Sequence, residues 1–502
     1  MRNKKHSIRI KKFLSATLAF VLAFQVSGST VKADNDDGVV VVVSFGDSYS
    51  SGEAIGVGET LANGEKGRFY GYTGDVNNDY NNDDWIAHRS MMSWPSRLEI
   101  PGVPGKLGDY HYPDVKGAVC EWYFVASSGA ETKDIIKEGQ EKRVRTKSGF
   151  DQKRNLPKQI DVFNKIDKPV DYVTMTIGGN DVGFADILTL AALEPLKIKP
   201  WLLEHKFNKL WKNINKYKAD LTATYEQIAA AAPEAQIFVA GYPKLLAPKG
   251  SKFFFSSKQA KLVNENVTRF NDEVLSKLVG KAGKNFHFVD VEKAFDGHGA
   301  YAKDAYINGI IFKKQEDDID KKAATSAYSF HPNDSGVQAY ADCVNAAIKQ
   351  YAKEQSMAVA DYRIVLKWGE NPSDLDSHVE GVLQDGTPFH ACFNEQTIKD
   401  GDKDVCNLDV DKMMRNGPET IALTTSTDKP YYYYVYRYRG AGKLQTSDAV
   451  VEVYKGDVLE KTFTVPSGAG DGDYWNVFAI VGGKIIEGKT ITDEADTKYA
   501  NE

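Results

Sequence analysis

The folded part of the chain opens with Val39-Val40-Val41-Val42-Val43-Ser44-Phe45 and continues directly into Gly46-Asp47-Ser48-Tyr49-Ser50-Ser51-Gly52-Glu53. A short, apolar, β-branched run of this kind is typical of a strand buried on both faces of a parallel sheet. Gly46 permits a tight exit from the strand. In an open parallel sheet, ligands bind outside the carboxyl ends of the strands, so Ser48 stands where a nucleophile is expected.

Four further apolar segments resemble this first one and are predicted as strands: Val119–Ala126, Val170–Ile177, Gln236–Ala240 and Phe286–Val291. Helix-length segments lie between or after them: Leu156–Ile166, Trp201–Ala232, Ser257–Val279 and Asp334–Lys353. This alternation predicts one doubly wound α/β domain with a mainly parallel sheet.

Other strand ends carry residues that suit the same edge of the sheet. Gly129 follows the second strand and Asn180 the third, so a backbone N–H and a side-chain amide join the N–H of Ser48 as possible oxyanion donors. His331 precedes Pro332 and the last helix, in a loop whose fixed path suits a general base.

These residues occur in four ordered blocks, and the blocks resemble those of the SGNH or GDSL hydrolase superfamily, in its secreted bacterial esterase and lipase branch. The matching strings are FGDSYSSGE, SSGAET, TIGGNDVGF and HPNDSG. The resemblance implies a flavodoxin-like three-layer α/β/α sandwich with Ser48 as nucleophile and His331 as base. It also implies an oxyanion hole of the Ser48 and Gly129 amides and the Asn180 side chain, with no metal and no cofactor.

One position departs from that superfamily, which usually has an Asp three residues before the catalytic His. Here that position is Tyr328. The second ring nitrogen of His331 still needs an acceptor that fixes its tautomer. We expect the backbone carbonyl of Tyr328 to supply it, as in members of the branch that lack the Asp; a remote acid such as Asp290 or Asp296 is the alternative.

The motifs predict a serine esterase or lipase that cleaves carboxylic esters through an acyl-enzyme. They do not separate acyl-lipid substrates from acetylated polysaccharides, so a carbohydrate O-acetylesterase stays open, as does a catalytically silent protein that binds the cell envelope or glycans. A Gly/Asn/Asp/Tyr-rich insertion, Gly56–Trp94, is interpreted as part of the substrate rim, and a mobile surface loop is the equal alternative. Its aromatic residues could line an acyl groove or a sugar platform: Phe69, Tyr70, Tyr72, Tyr80 and Trp85.

The composition and the N-terminal residues exclude some protein classes and indicate where the protein acts. The chain has 502 residues, 42% of them hydrophobic, which excludes collagen-like and disordered classes. Residues 1–33 combine seven basic residues with a short apolar core and read as a signal peptide cleaved before Asp34, so a secreted, extracellular protein is expected. The remaining chain has 56 bases against 69 acids, a net charge of −13, which argues against nucleic acid as a partner.

Near residue 357 the pattern changes to short alternating strands. We therefore divide the chain into a hydrolase domain, 34–356, an all-β sandwich domain, 357–495, and a tail, 496–502. The second domain resembles an uncharacterised bacterial β-sandwich family, through a Trp-Gly-rich start, an Asp-Leu-Asp string and a Gly-Pro-Glu turn. Its aromatic strand, Tyr431–Tyr438, could face core or carbohydrate.

Two questions about this second domain stay open at the level of sequence. Asp374, Asp376 and His378 alternate and could hold a cation on one strand face, although a solvated loop and strand start is the preferred interpretation. Cys392 and Cys406 could form a disulfide or remain free, whereas Cys120 and Cys343 are expected to be buried free thiols.

Overall fold

The computed structural model describes residues 39–55, 68–113, 115, 119–184, 187, 200–251, 253–401, 403–408, 418–456, 458–466 and 468–500. The predicted signal peptide lies outside these ranges. No helix within them is both long enough and apolar enough to cross a bilayer.

The N-terminal region contains strands and helices in alternation. Its strands are β1 (Val40–Gly46), β2 (Cys120–Phe124), β3 (Glu141–Arg145), β4 (Asp151–Asn155), β5 (Tyr172–Thr176), β6 (Gln236–Ala240) and β7 (Phe286–Val289). Its helices are α1 (Ser48–Ser51), α2 (Val76–Asp79), α3 (Asp83–Ala87), α4 (Thr132–Ile136), α5 (Pro200–Lys212), α6 (Ile214–Ala231), α7 (Ser257–Phe270), α8 (Ser276–Ala282) and α9 (Asp334–Val359). The five predicted strands of the sheet are all present.

These five strands form one parallel sheet in the order β2-β1-β5-β6-β7. Counted along the sheet strands alone, this is the flavodoxin-like order 2-1-3-4-5, whose direction reverses between β1 and β5. Every residue from Val41 to Gly46 is buried, so both faces of β1 are covered, as the valine run predicts. The predicted α/β architecture is therefore confirmed, and Ser48 begins α1 at the switch point.

Three details differ from the prediction. The stretch 201–232 is two helices that meet at Asn213, and a π-helical turn, Asn271–Leu275, joins α7 to α8. The segment predicted as a helix at 156–166 contains a 3-10 helix, Gln159–Lys165. The antiparallel hairpin of β3 and β4 was not predicted, because its strands are mostly charged and carry no apolar alternation.

The C-terminal region is all β. Its strands are β8 (Tyr362–Lys367), β9 (Asp374–Val382), β10 (Pro388–Ala391), β11 (Thr397–Asp400), β12 (Lys403–Leu408), β13 (Glu419–Leu423), β14 (Tyr431–Arg439), β15 (Val450–Lys455), β16 (Val458–Thr464), β17 (Tyr474–Val481) and β18 (Lys484–Thr492). They form two antiparallel sheets, β10-β9-β14-β17-β18 and β11-β12-β13-β8-β15-β16. Buried residues of both sheets belong to one apolar cluster, separate from that of the N-terminal region. The division at 356/357 stays a prediction, since α9 continues through it to Val359.

Candidate active site

Ser48 and His331 meet at the carboxyl edge of the parallel sheet. The Ser48 Oγ lies 2.7 Å from His331 Nε2, although 283 residues separate them along the chain. Ser48 is only 6% exposed, and it lines a cavity together with His331, Gly129 and Asn180. The fold therefore brings together the four site residues that the strand ends indicated.

The turn that presents Ser48 is fixed by the residue before it. Asp47 caps α1 by accepting the Tyr49 N–H at 3.0 Å, and the same oxygen accepts the Thr176 hydroxyl at 2.7 Å. Its second oxygen accepts the hydroxyl of Tyr242. Burial raises the pKa of Asp47 to about 6, against the opposing effect of these hydrogen bonds. Three elements thus meet on one buried carboxyl group.

Tyr242 in turn is held by the π-helical turn. Asn271 accepts the Tyr242 N–H at 3.0 Å and donates to the Tyr242 carbonyl at 2.7 Å. The Tyr242 hydroxyl accepts the Gly179 N–H at 3.0 Å, so that amide is not available to a substrate. A π-helical turn frequently marks a functional site, and here it supports the nucleophile from behind.

The candidate oxyanion donors converge on the same cavity. Gly129 has φ +78°, a conformation that glycine adopts without strain. Within the described part of the chain, no hydrogen bond uses the N–H of Ser48 or Gly129. Asn180 donates one amide hydrogen to the Ala130 carbonyl at 3.0 Å, which orients the side chain and leaves its second hydrogen for a ligand.

The loop that carries His331 is held from both sides. Phe330 has φ +61°, a strained conformation for a bulky residue, and its carbonyl accepts the Tyr49 hydroxyl at 2.8 Å. On the other side, Asn333 caps α9 by accepting the Gly336 N–H at 3.1 Å. The nucleophile turn and the histidine loop are therefore joined directly through Tyr49, whose ring also contacts the imidazole.

The expected role of the Tyr328 carbonyl differs from the observed geometry. That carbonyl accepts the His331 backbone N–H at 3.4 Å and the Asn308 amide at 3.3 Å, not the imidazole. His331 Nδ1 is buried and has no hydrogen-bond partner among the described residues. Burial lowers the pKa of His331, while the Glu53 charge and the carbonyls of Ala327 and Ser329 act in the opposite direction.

The two remote acids considered as alternatives are engaged elsewhere. Asp290 accepts the Glu292 N–H at 2.8 Å, and Asp296 pairs with Lys244 at 2.9 Å. Among the described residues neither acid is hydrogen-bonded to His331, so neither serves as the third member of a triad.

Glu53 is the acid that sequence reasoning missed. It is 1% exposed and pairs with the equally buried His88, whose Nδ1 lies 2.7 Å from Glu53 Oε2. Burial disfavours both charges, but their mutual attraction outweighs it, so the pKa of Glu53 is lowered and that of His88 is raised. Glu53 closes the quoted FGDSYSSGE string, and its position one turn after the nucleophile was the available signal.

The cavity beside Ser48 has a volume of about 340 Å³. Its walls combine apolar side chains with residues of the segment 314–331, and the apolar members include Phe184, Leu245, Val267 and Ile319. The interpretation of the 56–94 insertion as substrate rim is wrong for its aromatic residues. Phe69 and Trp85 form a separate buried cluster with the β3–β4 hairpin, against which Tyr72 and Tyr80 pack, and Tyr70 stacks on His111.

The structure also bears on the open questions about the C-terminal region and the four cysteines. Asp374, Asp376 and His378 are all buried in β9, so the preferred interpretation of a solvated loop is wrong. Of the tyrosines in β14, Tyr431 to Tyr434 are buried and Tyr438 is 54% exposed. All four cysteines are free, and Cys120 is buried as expected, while Cys343 is half-buried.

The model of the GDSL-like lipase/acylhydrolase family matches residues 122–339, a range that contains Gly129, Asn180 and His331. The chain is 24% identical over 307 residues to a lipase of Streptomyces rimosus, covering 61% of this chain and 85% of that protein. It is 22% identical over 302 residues to Lipase 1 of Streptomyces coelicolor, covering 60% of this chain and 88% of that one.

Residues 122–339 of this chain are therefore similar to the GDSL-like lipase/acylhydrolase family, and the match lies wholly within the α/β region. This similarity supports a carboxylic ester hydrolase. Two solved structures are similar to this GDSL-like hydrolase. An extracellular lipase of Streptomyces rimosus aligns at 23% identity with a TM-score of 0.41, over 62% of this chain and all of that one. A phospholipase A1 of Streptomyces albidoflavus aligns at 21% with a TM-score of 0.40, over 61% and 99%.

Proposed function

We propose that this GDSL-like hydrolase is a secreted serine esterase that acts through a Ser48–His331 pair and an acyl-enzyme. The observation that carries the proposal is the 2.7 Å contact between Ser48 Oγ and His331 Nε2 inside the cavity. The pattern of residues 1–33 supports secretion, and the mature chain would begin at Asp34.

The reaction follows from the positions of these groups. His331 Nε2 takes the Ser48 proton as Oγ attacks the ester carbonyl carbon, and the resulting oxyanion receives the N–H groups of Ser48 and Gly129 and the Asn180 amide. The Nε2 proton then passes to the departing alcohol, which leaves Ser48 acylated. His331 then takes a proton from a water molecule as its oxygen attacks the acyl carbon. The bond from that carbon to Ser48 Oγ breaks, His331 returns the proton to Oγ, and the acid is released.

We further propose that Glu53 supplies the negative charge that the usual Asp would bring to the base. Its charge favours the protonated imidazole of His331, and the transition states of both steps contain that imidazolium. Glu53 is a positioning residue here, because it acts through His331 and its own hydrogen bond goes to His88. The carbonyls of Ala327 and Ser329 add to the same effect.

The cavity favours a small or medium acyl group. Its volume of about 340 Å³ lies near the lower end of the range for ligand pockets. Its apolar wall suits a hydrocarbon chain, whereas Lys314, Asp318 and Asp320 add polar groups to the lining. An acetyl group carried by a polysaccharide would also fit, so a carbohydrate O-acetylesterase is the second candidate.

The test is hydrolysis of p-nitrophenyl acetate, butyrate and palmitate by residues 34–502. We expect turnover on acetate and butyrate, with a loss of at least about 10³-fold in kcat for both Ser48→Ala and His331→Ala. The matched controls are Ser148→Ala and His205→Ala, which alter exposed residues of the same types outside the site. A serine-directed phosphonate should label the peptide that contains Ser48.

Either of two results would contradict this proposal. One is no turnover on any ester by a folded protein, which would instead favour the silent envelope- or glycan-binding alternative, with the exposed Tyr438 as a first contact to examine. The other is turnover that survives in Ser48→Ala and His331→Ala.

A further inference from the structure

The outward face of the β10-β9-β14-β17-β18 sheet carries a cluster of metal-binding side chains that the ester hydrolysis does not use. The cluster consists of His378 in β9, His390 in β10 and Cys392 just after β10. Strands β9 and β10 are antiparallel, and His390 lies opposite Glu380. Cys392, two residues beyond His390, therefore points to the same face of the sheet and lies beside His378. One ligand atom from each residue lies within 4.8 Å of the other two.

The ligand atoms have the types that a tetrahedral Zn²⁺ ion takes, and they lie close to the spacing it requires. Zinc binds imidazole nitrogen at about 2.0–2.1 Å and thiolate sulfur at about 2.3 Å, so its ligand atoms stand roughly 3.3–3.8 Å apart. His378 Nδ1 and His390 Nε2 are 2.8 Å apart and share one proton as a hydrogen bond. If the two rings moved apart by about half an ångström, a zinc ion could take the place of that proton between the two nitrogens.

Two of the three ligands are shielded from solvent. His378 and Cys392 are both buried. His378 Nε2 is buried and has no hydrogen-bond partner among the described residues. Cys392 is a free thiol, whereas Cys406 lies in the apolar cluster between the sheets.

A second layer of contacts orients the rings. Tyr434 stacks on His378 with ring centroids 4.9 Å apart, and its hydroxyl lies 3.1 Å from His390 Nε2. The same hydroxyl donates to Glu380 at 2.7 Å. Partners of this kind fix the orientation of metal-binding histidines.

We propose that His378, His390 and Cys392 form a site for Zn²⁺ in the C-terminal β region, with the fourth position open to Tyr434 or solvent. The ion would tie β10 and the turn at Cys392–Glu395 to β9 and so stabilise one edge of this sheet. Its role is structural, and it is separate from the chemistry at Ser48.

The experiment uses tag-free residues 34–502, reduced and freed of metal, titrated with Co²⁺ and then with Zn²⁺. We expect one Co²⁺ per chain, a thiolate-to-cobalt charge-transfer absorption, visible bands of tetrahedral intensity, and displacement of Co²⁺ by Zn²⁺. Zn²⁺ should also raise the Tm. Cys392→Ser should abolish the charge-transfer absorption, and His390→Gln should weaken Zn²⁺ binding at least 10-fold, since each removes a ligand.

Cys343→Ser is the matched control, because Cys343 is a free thiol in α9 outside the cluster, and it should bind Co²⁺ like the parent. The far-UV circular dichroism and Tm of metal-free Cys392→Ser should match those of the metal-free parent, which shows that this variant is folded. The site is refuted if the folded parent shows no charge-transfer absorption with Co²⁺, or if Cys392→Ser and His390→Gln both bind the metal like the parent.

Discussion

The proposed nucleophile, Ser48, and the proposed base, His331, are held in different ways. Ser48 directly follows Asp47, and the carboxyl group of Asp47 accepts hydrogen bonds from residues of three separate elements. His331 follows a strained residue, and its Nδ1 has no hydrogen-bond partner among the described residues. The Ser48 turn is therefore fixed by hydrogen bonds to a buried side chain, whereas the imidazole of His331 depends on burial, the charge of Glu53 and the carbonyls of Ala327 and Ser329.

This difference predicts different failures on the two sides. A directional network fails when the geometry changes, so damage to the Ser48 turn should remove activity at every pH. A base stabilised by a charge fails when that charge is removed, so damage at Glu53 should appear in the pH profile.

The largest effect is expected from Gly46→Ala on the nucleophile side. Gly46 has φ +127°, and an added Cβ would stand 2.4 Å from the Thr176 carbonyl oxygen, which also accepts the Asp47 N–H. The backbone must shift, so we expect a loss of about 2–4 kcal/mol in unfolding free energy and at least about 100-fold in kcat/KM. Urea denaturation and ester hydrolysis measure the two effects.

Gly149→Ala is the control for that variant, because Gly149 has φ +105° but no atom near the added Cβ. It carries the conformational strain without the collision, and it should leave kcat/KM unchanged. If Gly46→Ala loses stability but keeps full activity, the turn does not position Ser48 as described.

The next effect is expected from Glu53→Gln on the base side. Glu53 acts to raise the pKa of His331, so its neutralisation should lower that pKa further. The base is active when neutral, and the acid limb of kcat/KM against pH should therefore move to lower pH. At the pH optimum, kcat should fall about 5- to 30-fold, because the imidazolium of the transition state loses a compensating charge.

Glu419→Gln is the matched control for Glu53→Gln, since Glu419 is an equally buried glutamate in the C-terminal region. It should leave the pH profile in place whatever it does to stability. An acid limb that stays fixed, or moves to higher pH, in Glu53→Gln would show that Glu53 does not act on His331.

The same contrast explains which parts of the site could be predicted from sequence. Ser48, Gly129 and Asn180 each follow a strand of the parallel sheet, and strand ends in a parallel sheet converge by topology, so their meeting required no knowledge of side-chain contacts. Glu53, in the turn after Ser48, pairs with His88 of the 56–94 insertion, and no periodicity in the sequence predicts such a contact. The Tyr328 carbonyl was assigned by analogy, but the direction of a carbonyl depends on backbone angles such as the φ of Phe330.

The C-terminal region shows a related limit. The alternation of apolar and polar residues predicted its strands. The segment 374–378 was expected to be solvated, because a single segment of sequence does not show what covers the face of a sheet. In the structure all of these residues are buried, and the partners of His378 come from β10, which the string does not contain. Register between strands, rather than spacing along one strand, sets this cluster.

The smallest effect is expected from Tyr49→Phe, which tests the hydrogen bond from the Ser48 turn to the backbone of the His331 loop. The Tyr49 hydroxyl donates to the carbonyl of the strained Phe330 at 2.8 Å, and its loss leaves that buried carbonyl without this donor. We expect a cost of about 0.5–1.5 kcal/mol in unfolding free energy and a 2- to 5-fold decrease in kcat/KM. Tyr110→Phe is the control. It removes a similar hydrogen bond, from Tyr110 to the Pro104 carbonyl, in a segment outside the site, and it should leave kcat/KM unchanged.

Because the hydrogen bond from Tyr49 holds the loop but carries no charge, the acid limb of the pH profile should stay in place in Tyr49→Phe. A moved acid limb would mean that the strain at Phe330 also sets the pKa of His331, and that the two sides are less separate than their contacts indicate.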